Sequence, residues 1–413
     1  MELQTVRGMR DLVGADALIQ ETIESNFRKV FASYGYLPLY TPAVENFDLF
    51  KVKGAAGEAI KEEIYYFKDK GDRELALRFE FTASLARVAA TSQLKMPFKR
   101  YQIGEVYRYD RPQAKRYRAF YQADADILGV AGLEAELELM LLIRDSFGSI
   151  GLKPKVIFNS RKLLQEVLGK FALGKEVEAM RILDKLDKME KKEIIQMMDE
   201  KGIESSVVDL IEMNSLEQIQ KVLGAETPGI KEIKEFATKC KENGLGFVEF
   251  DARLARGFEY YTGIVFEVKL DNGPSVGGGG RFDKLVELYG GQVTPAVGFG
   301  LGVSRIFDYL KENNFKVRME GVFLFGIGVG TNELLKISDT LRANGIFCEV
   351  DLIGKSPGKN IEFAEKKGYK YVGIIGENEL KAKTITIKDI EEGKQESYLM
   401  NDFGKIKSKV MFL

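Results

Sequence analysis

The chain has 413 residues, a length that predicts two or three domains, and its formal net charge of −1 means that a polyanionic partner would have to bind local basic patches. It contains no histidine, which excludes histidine general bases, Ser-His-Asp triads and histidine-ligated zinc. The two cysteines, Cys240 and Cys348, are far apart in sequence and fit a reducing cytosol without a disulfide framework.

The first 150 residues alternate between helical and extended patterns. Two strand-like runs are joined by the charged segment YDRPQAKRYR, which predicts a long hairpin with a basic tip. The predicted elements are, in order, helix 15–34, strand 73–79, helix 82–91, strands 98–109 and 118–129, and helix 133–147.

The rest of the chain changes character twice. A Lys- and Glu-rich stretch at 161–245 has apolar residues at helical spacing and predicts a helical insertion. Strand patterns return from 247, and a strand or turn leads into a helix at 294–311. From about Gly321, strands alternate with helices, which predicts a small α/β domain with a partly parallel sheet. The predicted boundaries are 1–160, 161–245, 246–318 and 319–413.

The hairpin carries an unusual density of cations on and around its loop. Arginine suits bidentate binding of phosphate because its guanidinium presents a planar fork of donors. From composition alone, a solvated charged loop is an equal alternative. The cations are Arg108, Arg111, Lys115, Arg116 and Arg118.

Three later segments also combine features typical of ligand sites. The run LARGFEYYTGIVFEV contains adjacent tyrosines, Tyr260 and Tyr261, which an extended backbone would point to opposite faces; strand packing is their alternative explanation. The run SVGGGGRFDKL removes four consecutive side chains, which permits close approach of a ligand or a flexible loop. The run AVGFGLGVSRI predicts a glycine-rich strand before a helix that bears Arg305.

These segments, in this order, resemble the histidyl-tRNA synthetases, a family of class II aminoacyl-tRNA synthetases. The hairpin resembles motif 2, RGFEYYTG the histidine signature, and AVGFGLGVSRI motif 3. The resemblance implies an α+β catalytic domain with an antiparallel sheet of the class II type, a helical insertion, and a C-terminal α/β anticodon-binding domain. It also implies ATP-dependent activation of histidine and its transfer to tRNA(His).

The resemblance further implies residues for the adenylation site. Arg108 and Arg256 would flank the α-phosphate of ATP, where two fixed guanidinium groups neutralise the meeting anions. Arg116 and Arg305 would also bind ATP, and Asp110 would help to read adenine. Magnesium is expected with ATP because it bridges phosphate oxygens, although no protein ligand set for it is readable.

For histidine, the resemblance implies a pocket that meets both ends of the substrate. Glu80 and Thr82 would bind the ammonium group, although a surface salt bridge is the plain alternative for Glu80. Asp126 and Tyr261 are hypothesised to hold the two ring nitrogens, and Arg281, after the glycines, would line the pocket. The implied contacts are Glu80, Thr82, Gln122, Asp126, Arg256, Tyr260, Tyr261 and Gly278.

The resemblance also bears on partners and location. Arg111 and Gln113 match positions that reach the acceptor end of tRNA, and Pro42 matches the centre of motif 1, which forms the interface of a homodimer. The N-terminus lacks an apolar signal region, and no stretch reaches the roughly 18 apolar residues of a membrane span, so a cytoplasmic protein without a membrane partner is expected.

Two other readings remain open from the sequence. A histidine-binding regulatory paralogue of ATP phosphoribosyltransferase would share the catalytic fold without charging tRNA. Such paralogues usually lack the anticodon domain and lose signature residues, whereas Arg108, Arg256 and Arg305 are present here. Threonyl, prolyl or glycyl synthetases share motifs 2 and 3, but the RGFEYYTG segment argues against them.

Overall fold

The computed structural model describes residues 3–52, 63–109, 116–186, 189–255, 260–270, 273 and 275–411. The chain divides into two units, one formed by Met1–Asp11 with Gln20–Glu312 and the other by Leu12–Ile19 with Asn313–Leu413. Among the described residues, no helix combines the length and apolar character needed to cross a membrane.

An antiparallel sheet forms the centre of the first unit. The strands before residue 312 are β1 Leu37–Pro38, β2 Val44–Asn46, β3 Tyr66–Lys68, β4 Glu74–Leu77, β5 Phe98–Tyr107, β6 Ala119–Leu128, β7 Pro154–Ser160, β8 Val248–Phe250, β9 Ile264–Leu270, β10 Ser275–Arg281 and β11 Ala296–Gly302. Eight of them pair in the order β1-β5-β6-β11-β10-β9-β7-β8, with parallel pairs only at the two edges, β1 with β5 and β7 with β8. The predicted class II type of fold is confirmed.

Helices surround this sheet and form the segment between β7 and β8. The helices are α1 Ala15–Ser33, α2 Thr82–Thr91, α3 Glu134–Gly148, α4 Arg161–Phe171, α5 Glu176–Leu183, α6 Lys191–Glu200, α7 Ser206–Glu212, α8 Leu216–Leu223, α9 Pro228–Glu242, α10 Leu285–Leu288 and α11 Val303–Glu312. The predicted helical character of 161–245 is confirmed, while the limits of that segment as a domain stay a prediction. Ser160 caps α4 and Thr227 caps α9, each accepting a backbone N–H.

Helix α1 covers one face of the sheet and leaves the other face for the site. Its buried residues recur every four positions, as an amphipathic helix requires. The ring of Phe31 lies 5.5 Å from that of Tyr101 on β5 and 6.1 Å from that of Phe299 on β11. Because side chains alternate along a strand, residues one position away, such as Arg100 and Gly298, belong to the opposite face.

The second unit contains a mixed five-stranded sheet. Its elements are β12 Met319–Ile327, α12 Thr331–Ala343, β13 Cys348–Val350, α13 Pro357–Lys367, β14 Tyr369–Gly376, α14 Glu377–Ala382, β15 Thr384–Asp389, β16 Gln395–Leu399 and α15 Phe403–Val410. Strand β12 pairs in parallel with β13 and β14, and the sheet continues antiparallel through β15 and β16. Successive residues of β12, Val322 and Phe323, enter different clusters on the two faces of the sheet, so both faces of this strand are covered.

Candidate functional site

A cavity of ≈ 210 Å³ opens on the face of the sheet opposite α1. Strands β6, β10 and β11 form its floor, and the loop before α2 and the first turn of α11 contribute to its walls. Of the residues predicted from the sequence, the cavity brings together Glu80, Thr82, Arg108, Arg116, Gln122, Asp126, Tyr260, Tyr261, Gly278 and Arg305.

Strand β6 supplies the polar floor through its alternation. Gln122, Asp124 and Asp126 line the cavity, whereas Ala123 and Ala125 between them are fully buried on the other face. The Gln122 amide donates a hydrogen bond of 2.9 Å from Nε2 to Oδ1 of Asp124. The period of two therefore gathers an amide and two carboxyl groups on one side of a single strand.

Glycines on the neighbouring strand make room for these side chains. Gly298 pairs with Asp126 and Gly300 with Asp124 across β11 and β6. A Cβ atom at 298 would lie 1.9 Å from Oδ1 of Asp126, and one at 300 would lie 2.8 Å from Nε2 of Gln122. The carboxyl and amide groups of β6 therefore occupy the space above a bare β11 backbone.

Arg108 lies at the end of the hairpin between two aromatic rings. Its guanidinium carbon is 4.4 Å from the ring centre of Phe79 and 5.2 Å from that of Phe120. Nε donates to the Phe79 carbonyl at 3.3 Å and Nη2 to Oε1 of Gln122 at 3.5 Å. Stacking and hydrogen bonding together fix the orientation of the guanidinium before any ligand binds.

Two further arginines line the cavity from exposed positions. Arg305 is on the first turn of α11, and its Nη1 donates to the carbonyl of Ser275 at 2.9 Å. Arg116 lies where the chain enters β6. With Arg108, they give the cavity three guanidinium groups, which favour a polyanionic ligand over a neutral one.

Glu80 lies just before helix α2 and binds its N-terminus. Its carboxylate accepts hydrogen bonds from the backbone N–H groups of Thr82 and Ala83, the latter at 2.7 Å. These N–H groups have no partner within the helix, so a carboxylate at that end is favourable. Both oxygens retain a further lone pair that can accept from a ligand.

The prediction that Tyr260 and Tyr261 point to opposite faces is wrong. Both line the cavity, and their ring centres are 4.7 Å apart. The two residues precede β9, which begins at Ile264, so strand alternation does not apply to them. Burial raises the pKa of the Tyr260 hydroxyl well above its usual value, and Tyr261 adds to this effect.

The two carboxyl groups of the floor differ in their surroundings. Asp126 forms an ion pair with Arg100 at 2.6 Å between Oδ2 and Nη2, and both side chains are almost fully buried. Burial raises the pKa of Asp126 to about 6 against the opposing effect of Arg100. Burial also raises the pKa of Asp124 to about 8 against the opposing effects of Arg100 and Gln122, and the nearby carboxyl groups of Asp126 and Glu80 add to this rise. The cavity is therefore sensitive to protonation near neutral pH.

Arg281 does not line the cavity as the resemblance implied. Its guanidinium binds Glu136 on α3 through two contacts of 2.6 Å and donates to the carbonyls of Val130 and Gly132. Gly278 and Gly280 pair with Gly300 and Gly298, the glycines of β11 that line the cavity, so Arg281, one position after Gly280, projects to the other side of the sheet. Its contribution is to anchor β10 to α3.

The sequence interpretation missed two charged residues at the site, Arg100 and Asp124. The alternation of QADAD on β6 was a signal for Asp124, because its position has the same parity as Gln122 and Asp126. Asp110, Arg111, Gln113 and Arg256 lie outside the described residues. Pro42 is exposed and lies apart from the cavity lining.

Comparisons with known proteins agree over both units. A family model described as histidyl-tRNA synthetase matches residues 8–306, and one described as an anticodon binding domain matches residues 322–408. A histidine–tRNA ligase from Pyrococcus horikoshii is 32% identical, with 98% of this chain and 99% of the relative covered. The corresponding ligase from Sulfolobus acidocaldarius is 33% identical, with 96% of each covered. The crystal structure of histidyl-tRNA synthetase from Nostoc sp. PCC 7120 gives a TM-score of 0.84 at 23% identity and covers 99% of this chain and 100% of that one.

Proposed function

The chain belongs to the histidyl-tRNA synthetase family, and from that premise we propose that it activates histidine with ATP and transfers the histidyl group to tRNA(His). It is an aminoacyl-tRNA ligase. The observation that carries the proposal for the site is the single cavity that joins three arginines to a floor of carboxyl groups. The arginines suit the triphosphate, and the floor suits a small cationic or hydrogen-bonding substrate.

In the first step, a carboxylate oxygen of histidine forms a bond to the α-phosphorus of ATP while the bond to the pyrophosphate oxygen breaks. Both reactants are anionic, so positive charge must be in place before they meet. Arg108 is assigned to the α-phosphate because its guanidinium is fixed between Phe79 and Phe120. Arg305 and Arg116 are assigned to the remaining phosphates and adenine, and Arg256 and Asp110 keep the roles that the resemblance gives them.

Histidine is proposed to lie along β6. Glu80 and Thr82 would accept its ammonium group, and the free lone pairs of the capping carboxylate support this role. Asp126 and Tyr261 would meet the ring nitrogens, while Gln122, Tyr260 and the backbone at Gly278 complete the pocket. A site that pairs both ring nitrogens rejects isosteres without them by about 10⁴–10⁵.

Magnesium is proposed to bind with ATP. Within the part of the chain that the structure describes, no group of three or more acidic or cysteine side chains could hold a metal ion. Mg²⁺ in ATP sites usually keeps several waters and is bound mainly through substrate phosphates. When bound, it would neutralise charge on the phosphates.

In the second step, the terminal ribose hydroxyl of tRNA(His) attacks the histidyl carbonyl carbon, AMP leaves, and the hydroxyl proton is lost. Arg111 and Gln113 are proposed to contact the acceptor end. The match of residues 322–408 to an anticodon-binding model supports a tRNA-reading role for the second unit. The predicted boundaries 161–245 and 319–413 are retained as the proposed domain limits.

We further propose a cytoplasmic homodimer with Pro42 at the interface. Pro42 is exposed, and exposed large apolar side chains occur close to it in sequence or on the adjoining small sheet. A protein in solution gains by covering such a group. The side chains are Leu37, Tyr40, Val44, Tyr66 and Phe67.

Histidine-dependent exchange between ATP and pyrophosphate tests the first step, and charging of tRNA(His) with labelled histidine tests the second. We expect exchange with histidine and none with threonine, proline or glycine. Binding of histidine without exchange would favour a regulatory paralogue, and exchange with another amino acid would overturn the substrate assignment.

A further inference from the structure

A fully buried arginine lies beside the carboxyl groups of the cavity floor. Arg100 is on β5, directly opposite Asp126 on β6, and has no exposed surface. Directly opposed residues of antiparallel strands have Cβ atoms about 5 Å apart, so the ion pair follows from the register of the hairpin. Among the residues that the structure describes, Arg100 does not line the cavity, whereas Asp126 does.

The two oxygens of Asp126 have different neighbours. Oδ2 is 2.6 Å from Nη2 of Arg100. Oδ1 lies over Gly298, a residue that lines the cavity, because it is the atom that a Cβ at 298 would strike. Arg100 therefore occupies one side of the carboxylate and leaves the other side for a ligand. The bare backbone at Gly298 keeps that side open.

Arg100 is also the cation that balances the acidic floor. Among the described residues, the titratable or charged groups that interact with Asp126 from the surrounding elements are Arg100, Asp124, Glu80, Tyr260 and Tyr36. The neighbouring positions on β11 are glycines and add no charge. Without Arg100, burial and two nearby carboxyl groups would favour the protonated form of Asp126.

We propose that Arg100 is a positioning residue for histidine recognition, which keeps Asp126 ionised and directs Oδ1 toward the substrate ring. This inference rests on the proposed function, because it takes Asp126 as a contact of the imidazole. An ionised Oδ1 accepts a ring N–H, whereas a protonated carboxyl carries an O–H donor and has less acceptor capacity. Arg100 acts through Asp126 and makes no contact with the substrate.

The direct test is the pH dependence of the KM for histidine in the exchange reaction. We expect Arg100→Leu to raise this KM at pH 7 by about 10–100-fold, the usual size of the effect when a residue that supports a binding group is lost, with little change in the KM for ATP. The rise in KM on acidification should begin at a higher pH than in wild type, because the pKa of Asp126 rises without its cation. Raising the pH toward 9 should recover part of the loss. The titration of free histidine is common to all variants and cancels in the comparison.

Two controls separate charge from folding. Arg100→Lys retains the cation, so its KM for histidine should begin to rise at the same pH as in wild type, even where the KM itself is higher. Lys370→Leu removes a partly buried ion pair with Asp389 in the second unit, and its exchange kinetics should follow wild type at every pH. If Arg100→Leu does not fold, Arg100→Lys is compared on the Asp126→Asn background, where its effect on the KM should disappear.

Thermal unfolding with and without histidine separates this inference from the proposed function. Histidine should raise the Tm of wild type at pH 7, and Arg100→Leu should need about 10–100-fold more histidine for the same rise. If wild type shows this stabilisation but no exchange, the enzymatic proposal fails and the role of Arg100 stands. If Arg100→Leu folds and keeps the wild-type KM for histidine and its wild-type pH dependence, the inference about Arg100 is overturned. The inference is also overturned if Arg100→Leu and Arg100→Lys raise the KM for histidine equally and neither shifts its dependence on pH.

Discussion

Among single residues, Arg108 has a constrained orientation in the cavity. Rings on two sides and two hydrogen bonds hold its guanidinium. Lysine would keep the charge but lose the planar fork and the stacking. We expect Arg108→Lys to lower the rate of adenylate formation by about 10²–10³, as loss of a preorganised donor typically does, with the KM for histidine nearly unchanged.

Single-turnover formation of the adenylate measures this rate. Arg118→Lys is a matched control, since that guanidinium also stacks on a ring, 4.1 Å from the centre of Tyr109, and does not line the cavity. A loss of similar size in both variants would mean that stacking supports the hairpin and that Arg108 has no special role at the phosphate.

The raised pKa of Asp124 predicts how the stability of the protein depends on pH. Its pKa is raised from 3.8 to about 8, chiefly by burial. Between these values the unfolded chain releases the proton while the folded chain keeps it, so the free energy of unfolding falls as pH rises, by at most about 1.4 kcal/mol per unit. Asp124→Asn keeps an acceptor for Gln122 and removes this fall.

We therefore expect the Tm of Asp124→Asn relative to wild type to increase from pH 5 to pH 8. Calorimetry at several pH values measures the difference. A constant difference over that range would show that Asp124 has an ordinary pKa in the folded protein.

At the scale of elements, β11 needs glycines opposite Asp126 and Asp124 of β6, because side chains there would collide with the cavity floor. We expect Gly298→Ala to raise the KM for histidine at least about tenfold, because its Cβ meets Oδ1 of Asp126, which the ion pair with Arg100 prevents from moving aside. Gly302→Ala is the comparison on the same face of the strand, since its nearest atom is 3.4 Å away. Steady-state exchange kinetics compare the two. Equal effects would indicate a general loss of strand geometry.

Local sequence patterns predicted the elements where periodicity was strong. The hairpin and α2 were expected within a few residues of their limits, and the alternation of strands and helices after Gly321 was expected as a pattern. The floor of β6 was readable from QADAD, because a period of two assigns faces without any knowledge of the fold. Motif resemblance added the cavity arginines, which periodicity alone left as a charged loop.

Other features depended on register or on an interrupted strand. Arg100 could be paired with Asp126 only after the hairpin register was known, since a shift of one residue would place it on the other face. Tyr260 and Tyr261 precede β9, so the alternation rule failed for them. The face on which the Arg281 side chain lies follows from the alternation of residues along β10. A run of four glycines does not show in the sequence which positions face the cavity.

At the scale of the whole molecule, a net charge of −1 has to be reconciled with a polyanionic RNA partner. Attraction must come from local groups of lysine and arginine, and each neutralised phosphate releases a counterion. The KM for tRNA should therefore rise steeply with salt, with a log–log slope of about 0.7–0.9 per phosphate contact. The exchange reaction needs no tRNA, so its salt dependence reports on ATP binding at the cavity arginines. Of these, Arg108 is half-buried, so its attraction for ATP is screened less than that between exposed charges.

The measurement is a salt series from about 50 to 200 mM, with exchange and aminoacylation followed on the same preparation at fixed free magnesium. We expect the KM for tRNA to increase by more than an order of magnitude and the KM for ATP by only a few-fold. Parallel slopes in the two assays would place the salt effect in the shared cavity. If the KM for tRNA does not respond to salt, local lysine and arginine groups do not neutralise the RNA phosphates. A chain without net positive charge would then have to bind RNA through other contacts.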